Sequence, residues 1–142
     1  MFNWLGQDIQ PGDIVYRGAR QGDSSSFRVG EVKKINEESR KVTVKWTWKG
    51  STLSVCHAPS TADYREKYES TYTLPGGTED EFPSTGSPTI DSIVKIDPSV
   101  LDFLKKQAQL IKAARHYRIK PDDFEQFRTD FYEGRVAFID TP

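Results

Sequence analysis

The sequence predicts an α+β protein, a small antiparallel β-barrel followed by a C-terminal helical hairpin. Three observations carry this expectation. Four short runs rich in β-branched and aromatic residues follow one another up to residue 57, separated by turn chemistry. After Pro98 the apolar period lengthens from two residues to between three and four. The 142 residues are 35% apolar and 12% aromatic, which fits a small, ring-rich core with polar segments outside it. The whole chain, 1–142, is expected to form a single domain. Its parts are barrel strands over 8–57 and 89–97, an acidic insert containing Tyr, Pro and Gly over 58–88, and helices and a tail over 98–142.

The first four strands are expected in "GDIVYRGAR", "FRVGEVKKI", "KVTVKWTW" and "STLSVCH". Their linkers are short: "QGDSSS", "NEESR" with Asn36, and "KGS" with Gly50. Such a meander avoids open edges by curling up on itself. In the second run Phe27 and Val29 share one face while Val32 falls on the opposite phase, so a β-bulge is expected at Gly30 and Glu31. In the third, alternation sets Val42, Val44, Trp46 and Trp48 on one face and Lys41, Thr43, Lys45, Thr47 and Lys49 on the other. Trp46 is expected in the core. Trp48, at the strand end, fits either the core or the barrel rim.

From Ala58 to Pro88 the periodicity fails. Ser60 and Asp63 suggest a capping box, and Tyr64, Tyr68 and Tyr72 recur at helical spacing. "YESTYTL" also alternates as a strand does, and both readings stay open. "PGGTEDEFPSTGSP" has the composition of a mobile loop. "TIDSIVKID" reads as the fifth strand, with Ile90, Val94 and Ile96 on one face. Asp97 and Pro98 then open a helix as N-cap and first residue, with an apolar stripe of Leu101, Leu104, Ala108 and Ile111. A second helix opens at Pro121, carries Asp122 and Asp123 in its first turn, buries Phe124, Phe127 and Phe131, and ends at Gly134. "VAFID" is left as a tail.

Net charge is -1, which argues against a whole-surface attraction to nucleic acid or anionic lipid. The balance is uneven, however. Residues 1–57 hold nine Lys/Arg against six Asp/Glu, residues 58–97 three against eight, and residues 98–142 eight against seven. "MFNWLGQDIQ" shows no basic, apolar leader, so a cytoplasmic protein without a membrane segment is expected. Catalysis has little material. Cys56 is the lone cysteine, and Cys56 and His57 are adjacent in a strand and therefore point to opposite faces. Together with His116 they are too few for a structural zinc site, so no enzyme activity, cofactor or metal is expected. "QGDSSS" lacks the lysine and following helix of a phosphate loop.

Residues 10–46, "QPGDIVYRGARQGDSSSFRVGEVKKINEESRKVTVKW", resemble the opening of a Src-homology-3-like barrel in its KOW and Tudor-like variants. The shared features are the Gly12-Asp13 start, a strand, a Gly-bearing turn, a "VG-x-V" strand and a third strand. The same opening is similar to that of small bacteriophage proteins. The resemblance implies a binding module. Relatives of this barrel engage RNA, ribosomal or transcription components, methylated side chains or peptides, and a phage origin implies a host complex as the target. The acidic insert and the C-terminal helices depart from the barrel pattern.

Two binding readings follow. The leading one is a non-enzymatic protein-interaction module that presents Tyr64, Tyr68, Tyr72, Phe82 and Trp48, because tyrosine suits surfaces that are half dry and half wet. The alternative is a nucleic-acid-binding face of Arg17, Arg20, Arg28, Lys41, Lys45 and Lys49 that tracks phosphates. An aromatic cage of Tyr16, Trp46 and Trp48 is a weaker idea beside ordinary core packing.

Overall fold

A computed structural model describes residues 1–21 and 24–138, without the side chains at 19–21, 24–26 and 51. The strands are β1 (Ile14–Gln21), β2 (Ser24–Asn36), β3 (Lys41–Cys56), β4 (Thr71–Gly86) and β5 (Val94–Lys95). The helices are α1 (Tyr64–Glu69), α2 (Ser99–His116) and α3 (Phe124–Tyr132). The α+β expectation holds. The strands form one antiparallel sheet in the order β4-β3-β2-β1-β5. β4 and β5 are its edges, and the sheet is open rather than closed into the expected barrel. β5 is only two residues long and offers little ladder to close upon. The chain divides into two compact units, Met1–Ser51 with Gly77–Leu104, and Thr52–Gly76 with Lys105–Pro142.

The first unit is built on a core of Ile9, Val15, Val32, Val42, Val44, Trp46, Ile90 and Ile93. The β2–β3 register breaks at Gly30, where a bulge is expected, but the extra residue belongs to the other strand. Gly30 faces Trp46 and Val29 faces Trp48, which leaves Thr47 of β3 unpaired. A bulge flips the alternation of everything beyond it. Trp46 thus stays with Val42 and Val44 in the core, while Trp48 joins Val29 on the opposite face, also buried. The expected single row of two valines and two tryptophans is corrected accordingly.

Gly30 permits this arrangement. A Cβ there would lie 2.5 Å from the Lys45 carbonyl and 2.9 Å from the Trp46 ring, so only glycine lets the indole approach the strand. At the start of the chain, the buried Asn3 ties down a turn. Its amide donates to the Ile93 carbonyl at 3.1 Å, and its oxygen accepts from the Leu5 and Gln7 backbone N–H groups.

Two segments of this unit differ from expectation. The sequence 75–88 reads as a loop from its Gly, Pro and acidic content, yet most of it belongs to β4. β4 is an edge strand, and an edge is where a strand tolerates Pro75 and Pro83 without breaking a ladder on both sides and where charges guard against stray pairing. The expected fifth strand shrinks to Val94–Lys95 because Ile90–Ser92 form a 3-10 turn. Ile90 and Ile93, three apart, are consequently the buried pair, and Val94 and Ile96 are only half-buried.

The second unit packs Val55, Leu110, Ile111, Ala113, Ala114, Phe124 and Phe127, with Leu53, Tyr72 and Leu74 against them. Asp97 caps α2 by accepting from the Ser99 N–H at 2.9 Å, as the Asp-Pro start predicts, and this bond holds its carboxyl below the usual range. The Pro121 turn precedes α3, and Gly134, at φ 78, ends it. The ambiguous tyrosine segment takes both forms. Tyr64 and Tyr68 lie on α1, capped by Asp63 rather than Ser60, and Tyr72 lies on β4.

Candidate anion-binding site

β1 and β2 pair so that Arg17 sits directly opposite Arg28, and β3 continues the row by placing Lys49 directly opposite Arg28. The bulge at Thr47 creates this alignment. Straight alternation would have kept Lys49 with Lys45, but Lys45 faces Glu31 instead. Like charges directly across a ladder repel and cost stability. No carboxylate among the described residues relieves the row. Three acids of the first unit pair with other cations: Glu31 with Lys33, Asp91 with Arg40 at 3.2 Å, and Asp13 with Lys95 at 3.3 Å.

A cleft of about 450 Å³ opens beside the row. Arg17, Arg28 and Lys41 line it together with Trp46, and the segment 84–89 supplies Ser and Thr hydroxyls; none of the residues lining it is acidic. Lys41 is set by an isolated bridge to Thr89 and by the Val42 N–H donating to the Pro88 carbonyl at 3.0 Å. Trp46 is only 3% exposed, and its indole nitrogen lies against Gly86, where a Cβ would come within 2.8 Å of it. The indole N–H has no acceptor among the described residues. None of their sealed side-chain nitrogens or oxygens lacks a partner, so this N–H is left open to the cleft.

The chemistry of this wall is that of an anion receptor: two arginines, a lysine, hydroxyls and one N–H donor on a packed ring. Guanidinium groups match phosphate oxygens two at a time, which an ammonium cannot do. Of the six residues in the alternative sequence reading, Arg17, Arg28 and Lys41 meet at the cleft and Lys49 lies opposite Arg28. Lys45 is separated from the row by its position opposite Glu31. The side chain of Arg20 lies outside the described residues. Trp46 as a donor was missed, because a core tryptophan and a cleft-wall tryptophan have the same strand pattern.

The residues of the protein-binding reading fall apart into different roles. Tyr64 and Tyr68 are 84% and 73% exposed on α1, and Phe82 is 88% exposed on β4. Tyr72 instead packs into the second unit's core and donates its hydroxyl to the Ile119 carbonyl at 2.7 Å, with burial raising its pKa. Trp48 is buried, so its ring is not offered to a partner. The cage does not assemble either, since Trp46 and Trp48 lie on opposite faces and Tyr16 stacks toward Phe27 at 6.1 Å. An exposed group that the sequence reading passed over is Phe2, Trp4 and Leu5, carried on the turn that Asn3 holds.

The Cys56 thiol points to the Lys67 carbonyl at 3.6 Å, and His116 packs against the Tyr117 and Phe138 rings. Among the described residues no three His, Cys, Asp or Glu side chains gather as a metal site, and no helix is long and apolar enough to cross a membrane. No protein-family model matches the chain, and no curated protein or solved structure matches it.

Proposed function

We propose that the protein binds a nucleic-acid strand, RNA or DNA, through phosphate contacts made by Arg17, Arg28, Lys41 and Lys49. One observation supports the reading: Arg17, Arg28 and Lys49 are cross-strand neighbours of like charge, with no ion pair to any of them among the described residues. A polyanion converts that repulsion into attraction. Neighbouring strands stand about 4.8 Å apart, so the three-residue row spans roughly 10 Å and addresses two or three phosphates. Binding through phosphates is expected to be sequence-tolerant and salt-sensitive. The resemblance to Src-homology-3-like barrels of the KOW kind agrees with such a role. A gel shift at low salt with single-stranded RNA and DNA tests it. Absence of a shift with either would end this reading.

The exposed Tyr64, Tyr68 and Phe82 favour a second reading, a protein-interaction module whose target, on the phage resemblance, is a host complex. Affinity purification from native cells with and without nuclease separates the two. Recovery that survives nuclease and is lost on Tyr64→Ala with Tyr68→Ala supports the second reading, and recovery abolished by nuclease supports the first.

A further inference from the structure

Trp46 is a buried ring whose N–H edge, without an acceptor among the described residues, stays open where the ring lines the cleft, and this singles out the cleft from the basic row beside it. An N–H donor at the wall of a recess, held on a packed ring, can donate to a bound oxygen without reordering the side chain. Here the donor faces a recess already lined by Arg17, Arg28 and Lys41 and by the hydroxyls of 84–89. From this convergence we infer that the cleft is a phosphomonoester site, and, resting on the nucleic-acid reading, that it holds the terminal phosphate of a strand whose next phosphates run along Arg28 and Lys49.

A monoester is favoured over a backbone diester on two counts. It carries close to two charges where a diester carries one, which better matches three cations with no acid among the residues that line the cleft. It also has three terminal oxygens, enough to accept from both guanidiniums and the indole at once. The volume, about 450 Å³, lies in the range of pockets that hold a small ligand, so a phosphate with its attached nucleoside fits where a continuous backbone would have to bend in and out. Gly86 keeps the donor accessible. Any side chain there would reach the indole nitrogen first.

The test uses the whole chain labelled with nitrogen-15, whose three tryptophans give three indole N–H signals assigned with Trp46→Phe. Inorganic phosphate is titrated against sodium chloride at matched ionic strength. The Trp46 signal is expected to move saturably with phosphate alone, and Gly86→Ala to suppress the movement with the spectrum otherwise preserved. In parallel, oligonucleotides ending in a 5′-phosphate, a 3′-phosphate or only hydroxyls are compared by anisotropy. One phosphorylated form should bind about tenfold tighter than the hydroxyl form, the size of one charge-assisted hydrogen bond. A Trp46 signal that phosphate leaves unmoved overturns the site, whether or not oligonucleotides bind. Phosphate binding with all three oligonucleotides bound equally overturns the strand end as its source. If phosphate moves Trp46 and no oligonucleotide binds, the phosphate site stands and the nucleic-acid function falls.

Discussion

Arg17 on β1 is the direct cross-strand partner of Arg28 on β2, and among the described residues neither has a carboxylate to offset it. Placing two guanidiniums side by side lowers stability in the free protein, and removing one should return that cost. Arg17→Gln is therefore expected to raise stability slightly, by about 0.2–1 kcal/mol, while weakening nucleic-acid binding. Urea unfolding and anisotropy on the same variant check the opposed signs.

Trp46 is pressed between Gly30 and Gly86, and the two glycines should respond differently to a methyl group. At Gly30 the nearest atoms are the Lys45 carbonyl at 2.5 Å, Val44 Cγ1 at 2.8 Å and the Trp46 ring at 2.9 Å, so Gly30→Ala forces the bulge apart and is expected to cost about 1–3 kcal/mol or more. Gly86→Ala meets only the indole edge, at the end of an edge strand, and should cost less. Unfolding midpoints of the two variants rank them.

The segment 75–88 makes most of β4 rather than a dispensable loop, so deleting it is expected to unfold the first unit instead of merely trimming a partner-binding insert. Loss of the dispersed methyl signals in a proton spectrum reads this out. A folded deletion variant would restore the loop reading.

Tyr72→Phe removes the hydroxyl that satisfies the Ile119 carbonyl and should cost about 1–3 kcal/mol, with little effect on oligonucleotide binding. The raised pKa of Tyr72 has a definite sign. Its neutral form is the one favoured by folding, so its contribution is fully present below the tyrosine range and is lost as pH climbs through the raised folded value above 10. The Asp97 cap behaves oppositely. Its lowered pKa gives stability present above the ordinary carboxylate range and lost as pH falls through the folded value. Asp97→Ala should flatten that acid limb in a pH series of melting temperatures.

Asn3 is a buried polar residue of the first unit, and Asn3→Leu leaves the Ile93 carbonyl and two backbone N–H groups without their partner. A loss of about 1–3 kcal/mol is expected, along with release of the Phe2, Trp4 and Leu5 turn. Hydrogen exchange at Leu5 and Gln7 follows it.

Local signals made α2, α3 and the first two strands legible, whereas the expected third and fourth strands, with a turn at Gly50 between them, are one continuous strand, Lys41–Cys56. The Asp97 cap, the Pro121 start, the Gly134 stop and the period of Leu104 and Ile111 all act within a few residues, where sequence and geometry are tightly linked. What failed was set by neighbours further away. Pro75 and Pro83 argue against a central strand, yet β4 lies at an edge, which no local pattern reveals. The bulge was readable at Gly30 from the phase of Val29 and Val32, but which strand carries the extra residue depends on the partner register. That one-residue choice moved Lys49 from the Lys45 side to the Arg28 side and so decided the candidate site. The basic residues were recognisable as a group, but the tryptophan donor beside them was not, since burial of the ring and exposure of its N–H edge are compatible with the same alternation.

The central claim is that phosphates complete the Arg17, Arg28 and Lys49 row, and salt dependence reads it most directly. Binding of a single-stranded oligonucleotide followed by anisotropy across a salt series should fall with a log–log slope of about -2, as expected for three phosphate contacts. Arg28→Ala should reduce the slope by about 0.7, one contact's share. A slope near zero, or one that Arg28→Ala leaves unchanged, contradicts the account.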